Sequence, residues 1–230
     1  MARRSLLLLL LLVPVLAACA LPGSDAAQVA DCEEGFVEGL LSLPPVDNSE
    51  VDENALKDRI HGVCAELVEA GFDDNSSMDE ILAYFGENPE LAGEMCEIST
   101  EALYGAGLDL VVDSYQGYVT HEDVTRLGRD GCTYAVVEGY GSFTTPLNLG
   151  GLLREHPDLA TPFCRAPLMQ DYDRRQPARS RRVYAEVVTE ACMQAIRSGV
   201  VDYSSGDYLN PTIDQRGFRQ LLRQEWAKKA

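Results

Sequence analysis

Seven cysteines punctuate the 230 residues, and the thiol is the most reactive group that the sequence repeats at a regular interval. Six of them, Cys32, Cys64, Cys96, Cys132, Cys164 and Cys192, stand 32, 32, 36, 32 and 28 residues apart. No C-x-x-C pair occurs, so neither a zinc ribbon nor a thioredoxin-like redox site is expected. An even set at a near-constant interval suits structural disulfides in an oxidising compartment. Six buried free thiols are the alternative reading.

The remaining chemistry-bearing residues are scattered. There are three histidines. His61 stands beside Ile60 on the solvated side of a helical stripe, and His121 and His156 fall near helix starts. None has an identifiable partner that would make it a general base. The sequence contains no G-x-S-x-G, P-loop or H-E-x-x-H. Gly105-Ala106-Gly107 lacks the third glycine of a dinucleotide fingerprint. Gly139-Tyr140-Gly141-Ser142 offers a serine in a loop, but no base to activate it. Asp73, Asn75, Ser77 and Asp79 alternate oxygen ligands like the start of a calcium loop. Met78 replaces the glycine that such a loop needs, and Tyr84 the bidentate glutamate. No metal or cofactor is therefore expected. The many carboxylates include no pair that sequence alone can place together.

What must position these residues is helical. Val29, Cys32, Phe36 and Leu40 form one apolar stripe; Leu56, Ile60, Cys64, Leu67 and Val68 form a second, with Asp52 and Glu53 at its start and Gly71 at its end. Met78, Ile81, Leu82 and Phe85 read as a short third helix. Pro89 opens a fourth, with Leu91, Met95, Ile98 and Ala102 inward. Further helices are expected from His121 to Glu138, from Pro157, and from Val183 to Ile196, with a loop over Gly139 to Gly151. Alternating strand patterns are scarce. The fold class is all-α, a disulfide-stapled helical bundle.

The cysteine interval points to a repeated unit. At an offset of 68 residues, Glu87-Asn88-Pro89-Glu90-Leu91-Ala92 matches Glu155-His156-Pro157-Asp158-Leu159-Ala160, Cys64 falls on Cys132 and Cys96 on Cys164. Units 53–105 and 121–173 are thus expected to be similar halves within a helical domain of residues 28–200, followed by a tail of residues 201–230. Cys64 precedes Gly71 by the same distance as Cys96 follows Pro89, and Cys132 and Cys164 flank Gly139 and Pro157 in the same way. Read as antiparallel hairpins, this symmetry favours Cys64–Cys96 and Cys132–Cys164, leaving Cys32–Cys192. Sequential pairing beginning with Cys32–Cys64 is its rival.

The charge is uneven. The formal net charge is −18, too acidic for a general nucleic-acid binder. Between Ala20 and Asp130 there are 26 acidic residues against Lys57, Arg59, Arg126 and Arg129; from Gly131 onward there are 11 acidic and 13 basic. Arg174, Arg175, Arg179, Arg181 and Arg182 gather around Pro177, where they would either pair with the acidic half of the chain or bind an anionic envelope polymer or lipid phosphate. Ile213 to Lys229 reads as an amphipathic helix. Phe218, Leu221, Leu222 and Trp226 are its apolar side; Arg216, Arg219, Arg223, Lys228 and Lys229 are its cations. Packing on the protein's own body is favoured over lying in a membrane interface.

At the N-terminus, Arg3 and Arg4 precede an uncharged apolar run from Ser5 to Ala20, the layout of an export signal. The run is short for a spanning helix and contains Pro14. Leu16-Ala17-Ala18-Cys19 resembles the lipobox of bacterial lipoproteins. The resemblance implies a signal peptide of residues 1–18, cleavage before Cys19 and acylation of its thiol. Residues 19–27, with Pro22, Gly23 and Ser24, would then be a tether. Ordinary secretion, with cleavage after the small residues Ala18-Cys19-Ala20, and an uncleaved membrane helix are the alternatives.

Phe36-Val37-Glu38-Gly39-Leu40-Leu41, Val63-Cys64-Ala65-Glu66-Leu67 and Gly71 together resemble a group of small exported helical domains of unknown function common in actinobacterial-type secretomes, over residues 27–105. That resemblance implies export and a disulfide-tied helical fold, and carries no catalytic residues. The expected function is a lipid-anchored protein on the extracytoplasmic side of the cell membrane. It would act as a binding or structural module, in contact with the membrane through Cys19 and with an envelope polymer or protein. The alternatives are an envelope hydrolase using unassigned carboxylates and a small-ligand carrier with an apolar slot between helices. Catalysis is the less favoured of these.

Overall fold

The apolar stripes fold as helices. In the computed structural model, residues 25–41, 53–73, 75–104, 108–140, 148–175, 180–204 and 211–229 are described. They form ten helices: α1 (Asp25–Leu41), α2 (Glu53–Glu69), α3 (Met78–Glu87), α4 (Pro89–Tyr104), α5 (Leu108–Ser114), α6 (His121–Val137), α7 (Leu149–Glu155), α8 (Pro157–Arg175), α9 (Arg181–Arg197) and α10 (Gln215–Lys228). The only strands among the described residues are β1 (Val201–Asp202) and β2 (Thr212–Ile213), paired antiparallel with Val201 opposite Ile213. The bundle is all-α and stapled by three disulfides. No described helix is long and apolar enough to cross a membrane. The export signal and Cys19 lie outside the described residues; of the tether expected over residues 19–27, Asp25, Ala26 and Ala27 instead open α1.

Two units divide the chain. The first holds the described residues up to Leu108 together with 128–140, and its core is one cluster that includes Phe36, Ile60, Val63, Phe85, Leu91, Met95 and Ile98. Leu91, Met95 and Ile98 face inward on α4 as expected from their helical spacing, while the side chain of Ala102 lies outside the described set. On α2 it is Val63, not Val68, that is fully buried. Gly71 ends α2 as anticipated. Its φ of 91° is left-handed, and the N–H of Gly71 and of Phe72 cap the carbonyls of Val68 and Leu67. Gly139 ends α6 with a φ of 71°. The starts of α2 and α6 stand 68 residues apart, as do those of α4 and α8.

The second unit holds 109–127 and the described residues from Asn148 on. Here α9 is the central helix, with Val187, Val188, Ala191, Cys192, Ala195 and Ile196 buried. It packs on α7, α8 and α10. Residues 201–229 thus belong to the same unit as α8 and α9. Pro162 sits inside α8 and cannot donate to the Asp158 carbonyl four residues back. Arg126 supplies the missing donor, its Nη2 giving a 2.9 Å hydrogen bond to that carbonyl.

Two helices were not expected. The anticipated loop over Gly139 to Gly151 ends early, because Asn148 caps α7 by accepting from Gly151 N–H at 2.8 Å. Gly150 leaves room for the backbone of Ser204, which a Cβ would meet at 3.0 Å. A seven-residue helix holding two glycines offers too little periodicity to be read from sequence. The short α5 escaped for the same reason of length.

The favoured disulfide pairing is overturned. The bonds are Cys32–Cys64, Cys96–Cys132 and Cys164–Cys192, with Cα–Cα separations of 5.8, 5.7 and 5.9 Å. Neither Cys64–Cys96, nor Cys132–Cys164, nor Cys32–Cys192 exists. Cys64 and Cys96 are not the facing arms of one tight hairpin, since the expected helix α3 already separates Gly71 from Pro89, and α7 likewise separates Gly139 from Pro157. The helices packed most extensively as consecutive pairs are α1 with α2 and α8 with α9. Each carries one cysteine, and these bond across the pair. Cys96 and Cys132 are left to bond α4 to α6.

Candidate functional site

The residues that come together to form a site do so in the first unit. Burying Leu91, Met95 and Ile98 turns the opposite face of α4 outward, and Glu90, Gly93, Glu94, Glu97 and Glu101 recur along it. Beside that face run Arg59 from α2 and Arg129, Asp130, Thr133 and Tyr134 from α6. All of these but Glu101 line an open groove of about 660 Å³, to which Ile98 also contributes. The Cys96–Cys132 bond joins its two main walls, α4 and α6.

Glycine shapes the groove. A Cβ on Gly93 would meet nothing within 4 Å, so the middle of the glutamate face is open space. On α2, a Cβ on Gly62 would lie 3.8 Å from Glu94 Oε1.

The two arginines are already engaged. Arg59 is ion-paired with Glu101 through Nη1 and Oε2. Arg129 Nε donates to Asp130 Oδ1 at 2.7 Å. That hydrogen bond and charge, with Glu97 nearby, hold the Arg129 guanidinium above its ordinary pKa. The Thr133 hydroxyl donates to the Arg129 carbonyl at 2.9 Å. Among the described residues Glu90 and Glu94 are in no ion pair or hydrogen bond. The groove therefore presents unneutralised carboxylates beside the ring of Tyr134. Sequence reasoning did not find this constellation. Its signal was the acid spacing on α4, readable only once α2 and α6 are known to flank that helix.

The other candidates find structural uses. Asp73 accepts the Asn75 N–H at 2.8 Å, and its own N–H donates to Ser76 Oγ at 2.9 Å. Ser77 caps α3 in a reciprocal box with Glu80, whose Oε2 accepts the Ser77 N–H at 2.7 Å. These bonds from Asn75 and Ser77 hold the Asp73 and Glu80 carboxyls below their usual range. The oxygens that suggested a calcium loop thus start a helix. Among the described residues no three His, Cys, Asp or Glu side chains converge as a metal cage. His61 is exposed, its Nδ1 2.6 Å from Glu33 Oε1 across α1 and α2. His121 is the first residue of α6, and His156 caps α7.

Among the described residues, Arg175, Arg181 and Arg182 pair with carboxylates near them in the chain and not with the acidic N-terminal half. Arg181 grips Asp173 with Nε at 2.9 Å and Nη2 at 3.0 Å, while the Tyr118 hydroxyl donates to the same carboxylate at 2.7 Å. The Arg181 and Tyr118 bonds hold Asp173 below the usual carboxylate range. Arg175 pairs with Asp171, and Arg182 lies 3.9 Å from Glu186. Pro177 and Arg179 lie outside the described residues, as do Gly105-Ala106-Gly107 and Ser142.

The C-terminal helix packs on α9. Phe218 is buried, while Leu221, Leu222 and Trp226 are half-buried. Trp226 lies against Tyr184, which in turn stacks on Tyr172 at 4.3 Å. Two of its cations find carboxylates within this unit. Lys229 pairs with Glu186 on α9 and Lys228 with Glu225 on α10 itself. No family model, curated protein or solved structure matches the chain.

Proposed function

We propose that this chain is a lipid-anchored protein on the extracytoplasmic side of the cell membrane, that it acts by binding, and that its groove takes a cationic ligand, a peptide segment bearing lysine or arginine. The supporting observation is the charge balance on α4. Arg59 and Arg129 are consumed by Glu101 and Asp130, whereas Glu90 and Glu94 face the groove without a cation. An ammonium group entering there gains charge-assisted hydrogen bonds. The open shape suits an extended segment better than an enclosed small molecule. The charged lining speaks against an apolar carrier. Anchoring rests on the Leu16-Ala17-Ala18-Cys19 motif and the apolar run before it.

Calorimetric titration with a trilysine peptide tests the groove. The wild type is expected to bind it and to ignore an N-acetylated, lysine-free peptide. Glu90→Gln with Glu94→Gln should weaken binding by about tenfold or more. Gly93→Leu should abolish it by filling the open space without entering the core. Equal affinity in the wild type and both variants overturns the assignment.

A further inference from the structure

Burying one side of α10 against α9 leaves the other side to the solvent, and that side is arginine. Arg216, Arg219 and Arg223 recur at intervals of three and four residues, so they lie along one stripe. All three are exposed. Lys228 and Lys229 are spent on Glu225 and Glu186, but among the described residues the three arginines make no ion pair. In a chain of net charge −18, a run of unneutralised cations on one helix face is anomalous. An apolar side chain stands close by: Ile213, three residues before Arg216, is 41% exposed, the large hydrophobic residue so exposed among those described. Trp226, the sole tryptophan, follows Arg223 by three residues and is half-buried at the edge of the stripe.

We infer that the outer face of α10 is a docking surface for an anionic lipid bilayer. Arginine guanidinium groups recognise phosphate oxygens bidentately, and an exposed isoleucine beside them suits the headgroup layer, which accepts cations and apolar side chains together. A soluble polyanion would use the cations but leave Ile213 in water. The large negative charge elsewhere does not forbid the contact, because at physiological ionic strength charges more than about 8 Å apart are screened. The apolar side of α10 stays on α9, so the helix lies on the surface through its cations and is not inserted by its stripe of Phe218, Leu221 and Leu222. The inference shares the envelope location of the reading above, but needs neither the groove nor acylation of Cys19.

The test uses the full chain and its single tryptophan. The protein is mixed with vesicles of phosphatidylcholine alone, or with one third phosphatidylglycerol, each containing a headgroup spin-labelled lipid that quenches nearby fluorescence. Trp226 of the wild type should be quenched on the anionic vesicles, and much less on neutral vesicles or in 0.5 M salt. Each cation near an anionic surface contributes about fivefold in partition, so Arg216→Gln, Arg219→Gln and Arg223→Gln together should cost on the order of a hundredfold. The corresponding triple lysine variant should retain most of the quenching. A stripe that served folding alone would leave the glutamine variant quenched like the wild type, and that result overturns the inference. So does equal quenching on neutral vesicles, and so does loss of vesicle quenching with tight binding to soluble polyphosphate or to a second copy of the chain. Because all variants share one N-terminus, failure of the anchor would not alter the difference between them.

Discussion

Gln194 Nε2 donates to Glu225 Oε1 at 2.7 Å, joining α9 to α10 at a carboxylate that is almost wholly screened from solvent. Lys228 Nζ donates to the same oxygen at 2.5 Å. Lys228 first, and then Gln194 against the opposing effect of burial, hold the Glu225 carboxyl below its usual range. Glu225→Ala removes the acceptor and leaves the Gln194 amide facing an apolar gap, which should cost about 1–3 kcal/mol. Trp226 emission should shift to longer wavelength as α10 loosens. The pH dependence has a fixed sign. A carboxyl whose pKa is depressed on folding contributes stability above the ordinary glutamate value of about 4.3, and that contribution fades as the pH falls through the folded value. Trp226 emission should therefore hold steady from neutrality to about pH 4.5 and move only below it. A shift already complete at pH 6 would show that Glu225 does not hold the helix.

Cys164 and Cys192 close a loop of 28 residues around the α8–α9 junction. On chain-entropy grounds, the bond should stabilise the protein by about 3.6 kcal/mol. Replacing both by alanine should lower the denaturant midpoint accordingly without changing the helical signal. Peptide mapping without reductant should recover Cys32 with Cys64, Cys96 with Cys132, and Cys164 with Cys192. A peptide joining Cys64 to Cys96 would contradict the structure.

Those pairings show what a single sequence can and cannot carry. The helices were legible because Ile60, Leu91 and Val187 each sit in a stripe of helical period, and the caps at Gly71 and Pro89 because those residues act through local backbone geometry. Which helix faces which is not local. Cys64 faces Cys32 because α1 packs on α2, and nothing in the spacing distinguishes that from α2 facing α4 once the interval is near 32 residues on both sides. The groove was hidden for the same reason. Glu90, Glu94 and Glu97 read as one solvated face among 26 N-terminal acids until α6 is placed beside them. The ion pairs of Arg175 and Arg181 were misassigned because net charge suggested a distant acidic half. Asp171 and Asp173 were closer along the chain, and proximity decided.

The anchor has its own test, independent of every side-chain contact above. If Cys19 is acylated, bacteria expressing the chain and fed a radiolabelled fatty acid should label the wild type and leave Cys19→Ser unlabelled. The mutant should also be released from the membrane fraction, since acylation is what holds it there. Equal labelling of the two would end the lipoprotein assignment while leaving the groove untouched.

Tyr203 presents the opposite situation from Glu225, a buried polar atom with nothing to satisfy it. The ring is 1% exposed, and among the described residues its hydroxyl has no hydrogen-bond partner. The residue follows β1, and the chain just beyond it crosses Gly150 at backbone contact distance, which pins the ring where it is. A buried hydroxyl without a partner costs about 1–3 kcal/mol, so deleting it should help. Tyr203→Phe keeps the ring and its packing, and should raise stability by about 1 kcal/mol, read as a higher denaturant midpoint. Burial, reinforced by the neighbouring Tyr115, also pushes the Tyr203 phenol well above its ordinary value. The folded state thus holds the neutral phenol, whereas the unfolded chain ionises it near pH 10. Stability of the wild type should consequently fall as the pH rises past about 10, more steeply than that of Tyr203→Phe. Parallel alkaline curves for the two proteins, or a variant less stable than the wild type at neutral pH, would mean that the hydroxyl has a partner after all.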